Sequence, residues 1–139
     1  MNILVIDAQG GGIGKQVVTA VHKDFPDDTI TAVGTNTAAT TAMLKAGADY
    51  GATGENAIIV GARKADVIIG PIGIVIADSL LGEITPAMAI AVGQSSAARI
   101  LIPVSHCDNI VAGTQGLTMK SLLDDVLLTL QNLKNSFHS

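Results

Sequence analysis

Tryptophan is absent from this 139-residue sequence, aromatic residues make up 2% of it, and cysteine occurs once. Without aromatics there is no platform on which nucleic-acid bases could stack. The net charge of −4 and a pI near 5.1 leave no basic cluster to hold phosphate backbones, so nucleic-acid binding is excluded as the expected role. The lone Cys107 rules out an internal disulfide and fits a reducing, cytoplasmic setting. No apolar run is long enough to span a membrane: the longest uncharged one, residues 67–77, is interrupted by Gly70, Pro71 and Gly73 and stops at Asp78. No charged leader precedes Asn2, which opens directly into an apolar run, so no signal peptide is expected. Linkers, repeats and low-complexity tracts are also missing.

What is present is aliphatic. Hydrophobic residues make up 48% of the chain and mean hydropathy is +0.49. A length of 139 residues suits one domain, residues 1–139, with one sizeable core of Val, Ile, Leu and Ala. Hydropathy this high implies strands buried on both sides, a face covered by another subunit, or both.

The most informative stretch is ILVIDAQGGGIGK, from Ile3 to Lys15. An apolar run ends at Asp7, turns through Gly10, Gly11 and Gly12, and enters a helix near Gly14. A strand that turns straight into a helix needs backbone angles and clearances that a Cβ obstructs. Such a turn aims the first free N–H groups of the helix at whatever lies above the strand, and those donors favour an anion. Asp7, Gln9, Gly10, Gly11, Gly12, Ile13, Gly14 and Lys15 are therefore candidate ligand contacts, with Lys15 as a point charge for a phosphate. The spacing matches no standard phosphate fingerprint in full. Lys15 stands where Gly-x-Gly-x-x-Gly needs its last glycine, and Ala8 replaces the first glycine of Gly-x-x-x-Gly-x-Gly. The P-loop pattern fails at Gln9 and Gln16. The alternative is a turn that serves only strand–helix packing, in which case Gly12→Val should damage folding.

The remaining chain alternates. Strands are predicted over residues 2–7, 29–33, 48–52, 66–70 and 100–104, with a short sixth at 110–112; residues 57–60 are the alternative third strand. Helices are predicted from residue 12 or 13 to 24, then over 37–46, 54–65, 74–81, from 85 to 97 or 98, and over 118–134. Asn36 or Thr37, Thr53, Thr85 and Thr118 are the expected N-caps, and Pro86 follows Thr85 at the first helical position. Strict alternation gives an α/β fold: a doubly wound parallel sheet between two helical layers. Such sheets gather their strand exits on one edge, where ligands bind. That edge collects Asp7 to Gly12, then Gly34, Thr35 and Asn36, the Thr53 to Asn56 region, Gly70, Pro71 and Gly73, and the polar exit from Ser105 to Asn109. Thr35 and Asn36 are neutral where dinucleotide folds carry an acid or an arginine. They either bond a sugar hydroxyl or cap a helix.

Catalytic candidates are sparse. Asp78 and Glu83 lie in a very apolar stretch, where burial would raise their pKa values and make an acid or base. Both equally suit helix caps or contacts across a dimer, and Glu83 lies near the start of the helix opened by Thr85. His106, beside Cys107 and Asp108, sits in a polar loop with no further His or Cys nearby in sequence, so no metal site is expected. Tyr50 has Gly54 four residues on, so the Tyr-x-x-x-Lys pair of a short-chain dehydrogenase is missing. Asp7 either holds a bridging water or metal, or binds the loop's own N–H groups. The helix opened by Thr85 is apolar on most sides, which makes the stretch from Ile74 to Ala98 the expected homo-oligomer interface.

The stretches DAQGGGIGK, AVGTNTAATTAMLKAGAD, ATGENA, IIGPIGIVIADSLLGEITPAMA and ILIPV resemble an uncharacterised bacterial family of short proteins, known as a domain of unknown function. The resemblance implies a stand-alone Rossmann-like protein and brings no catalytic residues. Three readings stand: a cytoplasmic, homo-oligomeric binder of a nucleotide or dinucleotide, NAD(P) or another; a small enzyme on a phosphorylated or carboxylated metabolite; and a structural partner protein without a ligand.

Overall fold

The computed structural model describes residues 1–104 and 109–138. Five strands, β1 (Asn2–Asp7), β2 (Thr29–Gly34), β3 (Tyr50–Thr53), β4 (Val67–Pro71) and β5 (Ala98–Ile102), form one sheet in the order β3-β2-β1-β4-β5. Every pairing is parallel. The helices are α1 (Gly12–Asp24), α2 (Thr37–Ala46), α3 (Glu55–Lys64), α4 (Pro86–Gly93) and α5 (Met119–Phe137). The chain winds outward from β1 to β3, then crosses back to β4. The switch point therefore lies between β1 and β4, and their two exits face each other across it.

Side-chain alternation in β1 explains the three layers. Ile3 and Val5 join Ile30, Ala32, Val67, Ile69 and Ile102 under α1, α2 and α5. Leu4 and Ile6 join Val33 and Ile68 under α3 and α4. Both sheet faces are buried, so the central strands read as unbroken apolar runs. A part-buried triad ties the ends of the first layer together: Asp28 accepts the Met1 ammonium and the Lys134 ammonium, each at 2.7 Å.

The local chemistry accounts for most element boundaries. Asn36 caps α2, its Oδ1 accepting the Ala39 N–H at 2.9 Å, and Gly47 ends it at φ +124°. Thr85 caps α4 with Pro86 at the first turn, as the sequence predicts. Thr118 and Ser121 close a reciprocal capping box on α5.

Four expectations are corrected. Thr53 is no cap; Gly54 holds that position, and the Thr53 hydroxyl instead pairs with Thr40 Oγ1 at 2.7 Å. Residues 74–81 are no helix. One 3-10 turn, Ile72–Val75, leads into successive turns through residue 84. The β-branched run Ile72, Ile74, Val75, Ile76 disfavours a helix, and Ile74, Leu80 and Ile84 all drop into the α3–α4 core. The helix begun at Thr85 stops at Gly93, because Gln94 and Ser95 turn the chain into β5. Residues 110–112 form no strand, and Ile110 stays 87% exposed. Among the described residues no helix is long and apolar enough to cross a membrane.

Candidate functional site

The glycine turn after β1 and the exit of β4 enclose a hollow of about 210 Å³, lined by residues 7–13, Pro71 and Leu80. Its glycines divide into two kinds. Gly11 has φ +73°, and a Cβ there would lie 2.8 Å from the Ala39 Cα. At Gly14 a Cβ would meet Met43 Sδ at 2.6 Å and Asp7 Cβ at 2.9 Å. These two glycines serve the turn and the packing of α1 on α2 and the sheet. Gly10 and Gly12 are different: both are exposed, neither has a positive φ, and a Cβ at either would meet nothing within 4 Å. Among the described residues their N–H groups have no hydrogen-bond partner. Packing therefore gives no reason for Gly12 to be glycine, against the expectation that Gly12→Val damages folding.

The other amides of the turn are taken by the chain's own carboxylates. Asp7, 5% exposed, accepts the Gly14 N–H at 2.6 Å through Oδ2 and the Ala8 N–H at 2.8 Å through Oδ1. Asp7 thus binds the loop's own N–H groups, one of the two roles expected of it. Burial pushes its carboxyl above the ordinary aspartate value, against the pull of the Gly14 and Ala8 amides, and the nearby Glu83 charge adds to the rise.

Glu83 reaches in from the β4–α4 connection. Its carboxylate accepts the Gln9 N–H at 3.2 and 3.1 Å, the Thr35 hydroxyl at 2.7 Å and the Asn36 amide at 2.7 Å. Asn36 also donates to the Gln9 carbonyl at 2.9 Å. Desolvation works against the Glu83 charge, but these donors outweigh it and hold the pKa below the ordinary glutamate value. That reverses the expected upward shift, and Glu83 does not cap α4. The connection that carries it is bent: Asp78, Leu80 and Leu81 all have positive φ, at 64°, 54° and 58°.

A family model described as a domain of unknown function, DUF3842, matches residues 2–135. The chain belongs to the DUF3842 family. No curated protein matches the sequence. Among solved structures, the DUF3842 chain is similar to a dodecameric FMN-dependent UbiX-like decarboxylase from Escherichia coli O157:H7. Identity is 18% and the TM-score 0.49, over 96% of this chain and 76% of that one.

The predicted contacts do not all converge in the DUF3842 structure. Asp7, Gln9, Gly10, Gly11, Gly12, Ile13 and Pro71 line the hollow. Lys15 does not. It is exposed and lines a groove along α2 with Thr37, Thr41 and Lys45. Gly14, Gly34 and Gly70 are buried packing positions. A Cβ at Gly34 would sit 2.6 Å from the Thr40 N, and one at Gly70 would sit 2.6 Å from the Ile6 O. Gly73 packs against Ser79 and Leu80. Thr35 and Asn36 hold Glu83, and Asn36 also caps α2.

Asp78 is exposed, against the expected burial. His106, Cys107 and Asp108 lie outside the described residues. The interface stretch spends most of its apolar side chains internally: Ile74, Leu80, Ile84, Met88 and Val92 are buried, which leaves Leu81 and Ile90 facing out.

Sequence reasoning missed Leu80 as a wall of the hollow and Glu83 as a partner of the glycine turn. Neither has a local signal, because both positions depend on a loop that periodicity reads as helix. A larger, mostly apolar hollow of about 450 Å³ lies between β2, β3 and α3, lined in part by Thr31, Tyr50 and Val60. Asn2, Thr29 and Lys64 are its other polar lining residues, and it lies apart from the β1 and β4 exits.

Proposed function

We propose that this DUF3842 protein is a binding module for a nucleotide or another phosphate-bearing metabolite, seated over Gly10 and Gly12 at the β1/β4 switch point. One observation carries the reading. Two exposed glycines that neither packing nor backbone angle requires flank the turn, and their N–H groups have no partner among the described residues. Glycine at such positions leaves clearance for close approach of a ligand oxygen to the backbone. The hollow of about 210 Å³ is small, so it suits one phosphate group, with the rest of the ligand extending along the sheet edge.

Asp7 lines the hollow and Lys15 does not, so the affinity rests on amides and fit. NAD(P) and adenine nucleotides are the first ligands to try, in a cytoplasmic protein. Thermal unfolding with millimolar NAD(H), NADP(H), adenine nucleotides and FAD tests the reading. A ligand at about a hundred times its Kd adds about 2.7 kcal/mol, a rise of several degrees. A panel that moves no melting temperature overturns it. Self-association remains part of the reading through the outward Leu81 and Ile90. A sedimentation mass that is monomeric, and equal in Ile90→Glu, overturns that part.

The enzyme reading rests on Asp7, Lys15 and one of Asp78, Glu83 or His106; of these Lys15 lines the α2 groove and Asp78 is exposed. No specific observation favours it over binding.

A further inference from the structure

We propose that Glu83 is a releasable acidic latch on the glycine turn: in the unliganded chain its carboxylate holds the Gln9 amide at the edge of the hollow, and a phosphate-bearing ligand seated over the turn takes that amide from it. The inference rests on the binding reading above and adds how the site opens.

The donor set around Glu83 is that of an anion receptor. A backbone N–H from Gln9, a hydroxyl from Thr35 and a side-chain amide from Asn36 converge on it from the exits of β1 and β2. Among the described residues no lysine or arginine pairs with it. Its charged form is held by neutral donors alone, as a phosphate would be on the same groups. Asp7, of the same sign, lies close enough to feel its charge. An incoming phosphate therefore meets two carboxylates, and the one free to move has to leave.

Glu83 is the one that can move. Asp7 is fixed at the end of β1 and buried, its two oxygens bound to the Ala8 and Gly14 amides. Glu83 is half-buried, at the tip of a short bent loop. Leu80 and Ile84 anchor the tip in the core on either side, and Asp78 N–H closes its base on the Ile84 carbonyl at 2.7 Å. Between the anchors, Leu81 is 83% exposed and Gly82 has φ +81°. Leu80 and Leu81 hold left-handed angles that L residues avoid, which keeps the tip from settling into a helix turn. A rotation of the Glu83 side chain frees the Gln9 amide, the Thr35 hydroxyl and the Asn36 amide together, without moving the core.

Amide exchange by NMR on the full chain, wild type against Glu83→Ala and Glu83→Gln, tests the latch without any ligand. The Gln9 amide should exchange at least tenfold faster in Glu83→Ala, with Val5 and Ile69 unchanged and Glu83→Gln in between. Unchanged Gln9 exchange overturns the latch. Titration with inorganic pyrophosphate and with ADP tests the competition. Glu83→Ala should bind at least tenfold more tightly than wild type, whereas weaker binding makes Glu83 a ligand contact and overturns the proposal. Binding by neither chain overturns the proposed ligand, a result distinct from unchanged Gln9 exchange.

Discussion

Two connections meet at the switch point, and they are built in opposite ways. The β1–α1 turn is short and rigid. Gly11 and Gly14 are wedged against backbone and side chains, and Asp7 fastens the start of α1 from below. The β4–α4 connection is longer, turns repeatedly, places three non-glycine residues at positive φ, and lends the site a single carboxylate. Their two acids differ in the same sense. Asp7 is buried and harder to ionise than an ordinary aspartate, while Glu83 is half-exposed and easier to ionise than an ordinary glutamate. The contrast assigns roles: one connection forms the floor of the hollow, and the other is the adjustable part.

Substitutions break the comparison most sharply within the rigid turn. Gly11→Val combines a left-handed φ with a backbone clash and should cost about 3 kcal/mol or more in urea unfolding. Gly12→Ala, one residue on, should stay within about 1 kcal/mol of wild type. Next come the two acids. Asp7→Ala leaves buried amides without an acceptor and should cost about 3 kcal/mol, against about 1 kcal/mol for Glu83→Ala, whose donors water can reach.

The acids also separate by pH. The folded pKa of Asp7 lies above its ordinary 3.8, so its stabilising contribution is fully present below about that pH and is lost as pH rises through the folded value. Glu83 lies below its ordinary 4.5, so its contribution is present above that pH and is lost as pH falls through the folded value. In unfolding series from pH 7 to 3, the stability of wild type relative to Asp7→Asn should therefore grow, and relative to Glu83→Gln should shrink. The smallest effect falls on the bent connection. Leu81 is 83% exposed at φ +58°, so Leu81→Gly should leave stability unchanged or raise it by about 0.5–1 kcal/mol in the same assay.

The same division marks what can be read from sequence. The rigid turn was legible because its chemistry is local: an apolar run, an acid and three glycines predict a strand that turns straight into a helix there. The Asn36, Thr85 and Thr118 caps were legible for the same reason. The sheet followed from strict alternation. The β4–α4 connection was not legible, because its apolar residues at 74, 80 and 84 are placed by the core they enter and not by a helical period. Misreading it as a helix hid Leu80 from the hollow and turned Glu83 toward the wrong element. Lys15 shows the converse limit. Its position next to the turn is local, but which way it faces depends on where α2 packs.

The central claim is that the amides of Gly10 and Gly12 receive a ligand phosphate. Backbone amide NMR of the intact protein, titrated with ADP and with NAD⁺ to millimolar concentration, tests it most directly. The account predicts saturable shifts of the Gly10 and Gly12 signals, joined by Gln9, while those of Thr41 and Lys45 in the α2 groove stay still. Saturation that moves the α2 groove or the β2–β3–α3 hollow and leaves Gly10 and Gly12 in place, or no movement at all, would contradict it.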